Sequence, residues 1–164
     1  MMPHDINEVL KNYSHQLKDL KGTVDLVAGG PPCQGFSMAG KRVKEDIRNQ
    51  LVFSYIKFIK IVQPKMVLFE NVKGFTYAFN KSKRSDVDSY AHKVISALEG
   101  LGYNVKPHVI DFSEYGVPQR RKRFILVGIR KDIGSPDIFE DMLQKNRDSF
   151  LKKKGIGATV SLRE

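Results

Sequence analysis

Between residues 6 and 20 the apolar side chains Ile6, Val9, Leu10, Tyr13, Leu17 and Leu20 recur at the spacing of one helical face. Asp5 precedes them and Glu8 follows three residues later, a pattern that caps a helix N-terminus. Gly22 closes that segment. Residues 24–28, apolar except for Asp25, predict a short buried strand. A second helix is predicted over 49–62, with Leu51, Val52, Tyr55, Phe58, Ile59 and Val62 on its apolar face and Pro64 as its stop. A second buried strand follows at 66–69 and ends at Glu70-Asn71. Val87, Tyr90, Ala91, Val94, Ile95 and Leu98 mark a third helix over 86–101, ended by Gly102. Strands at 103–112 and 124–129 flank a loop at 116–118. Beyond Asp132 the pattern weakens to a short helix near 138–151 and a polar run, KKKGIGATVSLRE.

Strands that alternate with helices predict an α/β fold with a parallel or mostly parallel sheet covered on both faces. In such sheets ligands sit beyond the carboxyl ends of the strands. The glycine- and proline-rich segment GGPPCQGFSMAGKR and the Glu70-Asn71 pair both follow strands directly. They are therefore expected on one edge of the sheet.

A chain of 164 residues supports one domain with a real core. Its formal charge of +10 favours an anionic partner such as nucleic acid. One cysteine excludes an intrachain disulfide and any metal site built on several thiols, and the four scattered histidines have no ligand-like spacing. No metal is expected. No segment approaches the roughly 20 apolar residues that cross a bilayer, and the N-terminal residues lack a secretory pattern. The expected location is the cytoplasm.

The residues on the shared edge carry chemistry. Cys33 supplies a thiol, Glu70 a carboxyl, Asn71 an amide, and Arg120, Arg121, Lys122 and Arg123 a basic cluster. A thiol becomes a useful nucleophile in an electropositive setting or beside a base. Pro31-Pro32 stiffens the chain before Cys33. A lone cysteine is otherwise as well explained as an inert buried residue.

GGPPCQGFS (29–37), ENVKG (70–74) and QRRKR (119–123) resemble, in order and approximate spacing, three signature motifs of the bacterial C5-cytosine-specific DNA methyltransferases. The resemblance covers about residues 5–132 and implies a Rossmann-like S-adenosylmethionine-dependent methyltransferase fold. It implies that Cys33 adds to C6 of a flipped cytosine so that C5 accepts a methyl group. Glu70 would contact N3 and the exocyclic amine, Asn71 would hold the cysteine loop, Arg123 would contact O2, and Arg121 would brace the site. Gln34 and Ser37 would touch the flipped nucleotide's phosphate, with Gln119 also on the DNA side. A base inside a duplex cannot present C6 to a thiolate, so flipping is required. Charge developing on the ring then calls for a proton donor at N3 and a cation at O2.

The implied methyl donor is S-adenosylmethionine. Asp5-Ile6 resembles the family's adenine-contacting pair, and Leu51 its cofactor-facing leucine, with Pro31 of the cysteine loop beside them. Asp5 as a plain helix cap and Leu51 as a core residue are the competing readings. The family's glycine-rich first loop and its target recognition region have no counterpart in these residues. The expected organisation is therefore a partial catalytic domain at 1–132 and a linker at 133–164. The expected partners are double-stranded DNA and a second chain supplying the missing strands and recognition region. An inactive fragment or split enzyme is the alternative expectation. A transfer-RNA methyltransferase of the same fold would need a second cysteine, which the chain lacks.

Overall fold

The apolar stripe at 6–20 forms two short helices, not one, in the computed structural model, which describes residues 4–32, 47–77 and 89–157. Helix α1 spans Ile6–Asn12 and α2 spans Ser14–Asp19. The break at Tyr13 (φ −118°, ψ 25°) falls within Asn12-Tyr13-Ser14-His15, four successive weak helix formers. Leu10 and Leu17 are nevertheless both buried, against Val62 of the next helix. That helix, α3, spans Ile47–Val62 and links strand β1 (Leu26–Gly29) to β2 (Met66–Val72). A 3-10 turn at Lys73–Thr76 follows β2. Helix α4 spans Tyr90–Gly100, with Ser89 Oγ accepting the His92 N–H at 3.1 Å as its N-cap. Val87 lies outside the described residues. Strand β3 (Tyr103–Asp111), a 3-10 turn (Phe112–Tyr115), β4 (Lys122–Arg130) and α5 (Asp137–Lys154) complete the order.

The strands form one sheet in the order β1-β2-β4-β3. The α-helical crossovers place β1 and β2 parallel and turn β3 the same way. β4 arrives without a helix before it, inserts between β2 and β3, and runs against both. Two of the three ladders are thus antiparallel, so the sheet is mixed where a mostly parallel one was expected. The cause is the connection from β3 to β4, too short for a helical crossover.

Both edges are managed differently. β3 carries Pro107, tolerable because an edge strand can spare an N–H. β1 is the other edge among the described residues, and it is half-exposed instead of buried; Leu26 is 49% exposed. The main core lies on one face of the sheet, where Val67, Phe69, Phe124 and Leu126 of the central strands meet Val52, Tyr55 and Ile59 of α3 and Val94 and Leu98 of α4, with Val27 of β1 packed against it. Removing that much apolar surface from water is the dominant favourable term, about 25 cal/mol per Å².

Helix α5 sits over the other face of β3 and is longer than the 138–151 expected. Lys106 Nζ lies 3.0 Å from Asp137 and 3.4 Å from Glu140. Gly116 (φ 82°) packs against Leu151 and Ile156 so closely that a side chain there would touch Ile156. His108 is partly buried beneath α5, its ring against Phe139 at 5.3 Å and its Nδ1 3.8 Å from Glu140. Its Nε2 has no hydrogen-bond partner among the described residues. Burial lowers its pKa, with Glu140 opposing and Lys106 assisting. The unfolded chain therefore takes up a proton near pH 6.5 while the folded imidazole still resists it. Stability should fall as pH drops below that value, and His108→Gln should remove that part of the decline. Urea melts above and below pH 6.5 check this; an unchanged slope in the variant would refute it.

Candidate active site

The parallel pairing of β1 and β2 sets Gly29 beside Phe69, so the chain leaves β1 at Gly30 alongside Glu70. The approach is close enough that a Cβ on Gly30 would lie 3.0 Å from Glu70 Oε2. Asn71, 1% exposed, fastens the same junction: its amide donates to the Pro31 carbonyl at 3.2 Å and its Oδ1 accepts the Val72 N–H at 2.9 Å. The segment that leads into Cys33 is therefore tied to the end of β2. Cys33, Gln34 and Ser37 themselves lie outside the described residues.

Because β4 runs antiparallel to β2, its first residues reach the edge where β2 ends. Arg123 pairs across from Val72 and so lies diagonally from Glu70 on one face. Its Nε meets Glu70 Oε1 at 2.9 Å, and its Nη1 donates to the Lys122 carbonyl at 3.0 Å. Arg123 is 17% exposed and Glu70 45%, so the carboxylate faces solvent more than the guanidinium does. Lys122 lies 3.6 Å from Asp111. Gln119 and Arg121 are exposed in the turn before β4. Their backbones shape that turn, through Gln119 N–H to Val117 at 2.7 Å and Phe112 N–H to the Arg121 carbonyl at 3.1 Å. No hydrogen bond or ion pair between described residues brings either side chain to Glu70 or Arg123.

On the helical side of β1 lies a largely apolar cavity of about 440 Å³. Ile6 from α1, Leu51 from α3 and Pro31 from the loop all line it, with Tyr55 and Phe58. Asp5 adjoins it in sequence; its Oδ1 accepts the Asn7 N–H at 2.7 Å and the Glu8 N–H at 3.4 Å, a helix N-cap. Tyr55 is a residue whose role the periodicity did not reveal. Its hydroxyl reaches the carbonyls of Val27 at 3.3 Å and Leu68 at 3.0 Å, bridging β1 and β2, while its ring presses on Gly29. Burial, with a smaller contribution from Tyr103, pushes its phenol far above the usual tyrosine range, so it remains a donor. An apolar helical face marks such a tyrosine only as core.

The profile of the family described as C-5 cytosine-specific DNA methylase matches residues 2–163. The chain belongs to this family. Among C-5 cytosine-specific methylases, type II methyltransferase M.XorII of Xanthomonas oryzae is 42% identical over 118 residues, covering 71% of this chain and 26% of that protein. Type II methyltransferase M1.HphI of Haemophilus parahaemolyticus is 42% identical over 132 residues, covering 78% and 32%. The chain thus spans about a quarter to a third of the length of these relatives. Among solved structures, a DNA modification methyltransferase encoded within an E. coli prophage superposes with a TM-score of 0.55 at 28% identity, covering 79% of this chain and 33% of that one. S. pombe Dnmt2 gives 0.57 at 21% identity over 87% and 39%, a likeness of fold alone. The fold of this family member is accordingly the Rossmann-like fold of the S-adenosylmethionine-dependent methyltransferases.

Proposed function

We propose that this chain carries the cytosine-binding and nucleophilic part of a DNA (cytosine-5) methyltransferase acting on double-stranded DNA in a restriction-modification setting. The observation that carries the reading is the Glu70–Arg123 pair at the edge where the Asn71-anchored chain enters the Cys33 loop. A carboxyl and a guanidinium held side by side at that distance suit the adjacent N3 and O2 positions of one cytosine, whose edge would face both. The Cys33 thiolate would add to C6, moving the C5–C6 π electrons toward C5. After methylation, loss of the C5 proton would expel the thiolate, break the C–S bond and restore the ring. Glu70 would hold a proton at N3 and Arg123 would face O2 as charge develops. Asn71 would position the loop, Arg121 would brace it, and Gln34, Ser37 and Gln119 would meet DNA.

S-adenosylmethionine would supply the methyl group as an electrophilic sulfonium. The apolar cavity suits the adenosine part of such a molecule: Ile6 and Leu51 offer flat apolar contact, and Pro31 joins the cavity to the cysteine loop. Asp5 would contact the adenine amine with the oxygen that does not cap α1.

Glu70→Gln keeps the shape of the side chain and removes its acid. Transfer of labelled methyl to unmethylated DNA should fall by about 10²–10³-fold. The melting temperature should change little, because a pair this exposed contributes at most ~1 kcal/mol. Undiminished transfer by the variant would overturn the assignment of Glu70.

A further inference from the structure

The chain presents a second surface that the proposed chemistry does not use. An open, mostly apolar trough of about 910 Å³ lies between α2, α3 and α4. Phe53, Ile56 and Leu101 form part of its floor, and Phe53 is 51% exposed. Lys18, Lys21, Lys57 and Lys60 surround it. None of the four makes an ion pair among the described residues. Helix α3 leaves the edge that holds Glu70 and returns the chain to the start of β2, so Lys57 and Lys60, in its last two turns, lie toward the far end. Gly22, just past Lys21, bonds to the Val62 carbonyl at that same end. A nucleic acid held at the Glu70–Arg123 edge would not meet these lysines.

We infer that this trough docks an acidic amphipathic helix of a partner protein. The argument is complementarity of two kinds. A helix lays apolar residues at i, i+3, i+4 and i+7 into an apolar trough, and carboxylates flanking that stripe meet unpaired lysines. An aliphatic lipid tail is a poorer occupant, since an open trough would leave much of it in water. A phosphate backbone would satisfy the lysines and leave the exposed Phe53 and the apolar floor uncovered. This inference stands independently of the methyltransferase reading.

The probe is a labelled synthetic helix with a leucine stripe flanked by glutamates, titrated against the full chain by fluorescence anisotropy. A scrambled peptide of the same composition, myristate and a DNA duplex are run beside it. The striped peptide should bind in the micromolar range, more weakly as salt rises. Lys57→Glu with Lys60→Glu, and separately Phe53→Ser, should each weaken it about tenfold or more. Circular dichroism would show the variants folded. Failure of the striped peptide to bind, equal binding of the scramble, or indifference to both variants would overturn the inference. Displacement of the peptide by myristate or by the duplex, with the same sensitivity to the lysine variants, would also overturn it and assign the trough to that ligand.

Discussion

Cys33→Ala is expected to abolish methyl transfer while leaving the melting temperature and DNA retention of the chain unchanged. The chain has one thiol, so no neighbour can substitute as a sulfur nucleophile. In the proposed reaction C5 of cytosine is too electron-poor to attack a methyl donor until C6 carries the sulfur. Loss of the nucleophile therefore removes the route, not merely a contact, and enzymes stripped of a covalent nucleophile lose about 10⁴–10⁶ in turnover. The measurement is labelled methyl transfer to unmethylated DNA by the methyltransferase that contains this chain, with and without the substitution. Transfer that survives the substitution would exclude the covalent step, whatever the fate of the rest of the site.

Gly29→Ala should have the largest effect on stability. An added Cβ would stand 2.4 Å from Tyr55 Cε2 and 2.8 Å from Cδ2, well inside contact distance. The ring cannot swing aside freely, because its hydroxyl is held by carbonyls on two strands and its edge packs on Phe69 at 5.5 Å. Overpacking of this kind costs about 2 kcal/mol, which for a chain of this size lowers Tm by roughly 4–8 °C. Tyr55→Leu added to Gly29→Ala should recover part of the loss relative to the sum of the single variants. Strict additivity would mean that the clash is relieved elsewhere. Methyl transfer should decline as well, since Gly29 is the last residue of β1 before the segment that leads to the proposed nucleophile, Cys33.

The helices and strands were largely legible in the sequence because a buried face imposes its period on the residues that form it. The third helix and β4 show this well: Tyr90, Ala91, Val94 and Leu98, and the run around Phe124 to Val127, are buried where the pattern places them. Strand direction was not legible from burial, since β4 reads equally apolar whichever way it runs. The missed clue is the segment between Asp111 and Lys122, too short to cross the sheet behind a helix. Glu70 and Arg123 each stand in a recognisable motif, but their meeting depends on the diagonal register of an antiparallel pair, which no motif encodes. Likewise Ile6 and Leu51 come from separate helices, and only packing brings them to one cavity. The break at Tyr13 and the half-exposure of β1 escaped because periodicity reports a face and not its continuity or its neighbours.

The position of β4 has a consequence for how the protein is made. It follows β1, β2 and β3 along the chain and yet sits inside the described sheet, with β2 on one side and β3 on the other. A nascent chain that ends before Lys122 has no filler for that slot, so β2 and β3 wait as open edges, prone to pairing with other chains. The Glu70–Arg123 pair cannot exist in any such precursor. The charge pair of the proposed cytosine site thus arises only in a chain synthesised into β4, and the shorter chain carries a thiol without the arginine proposed to accompany it.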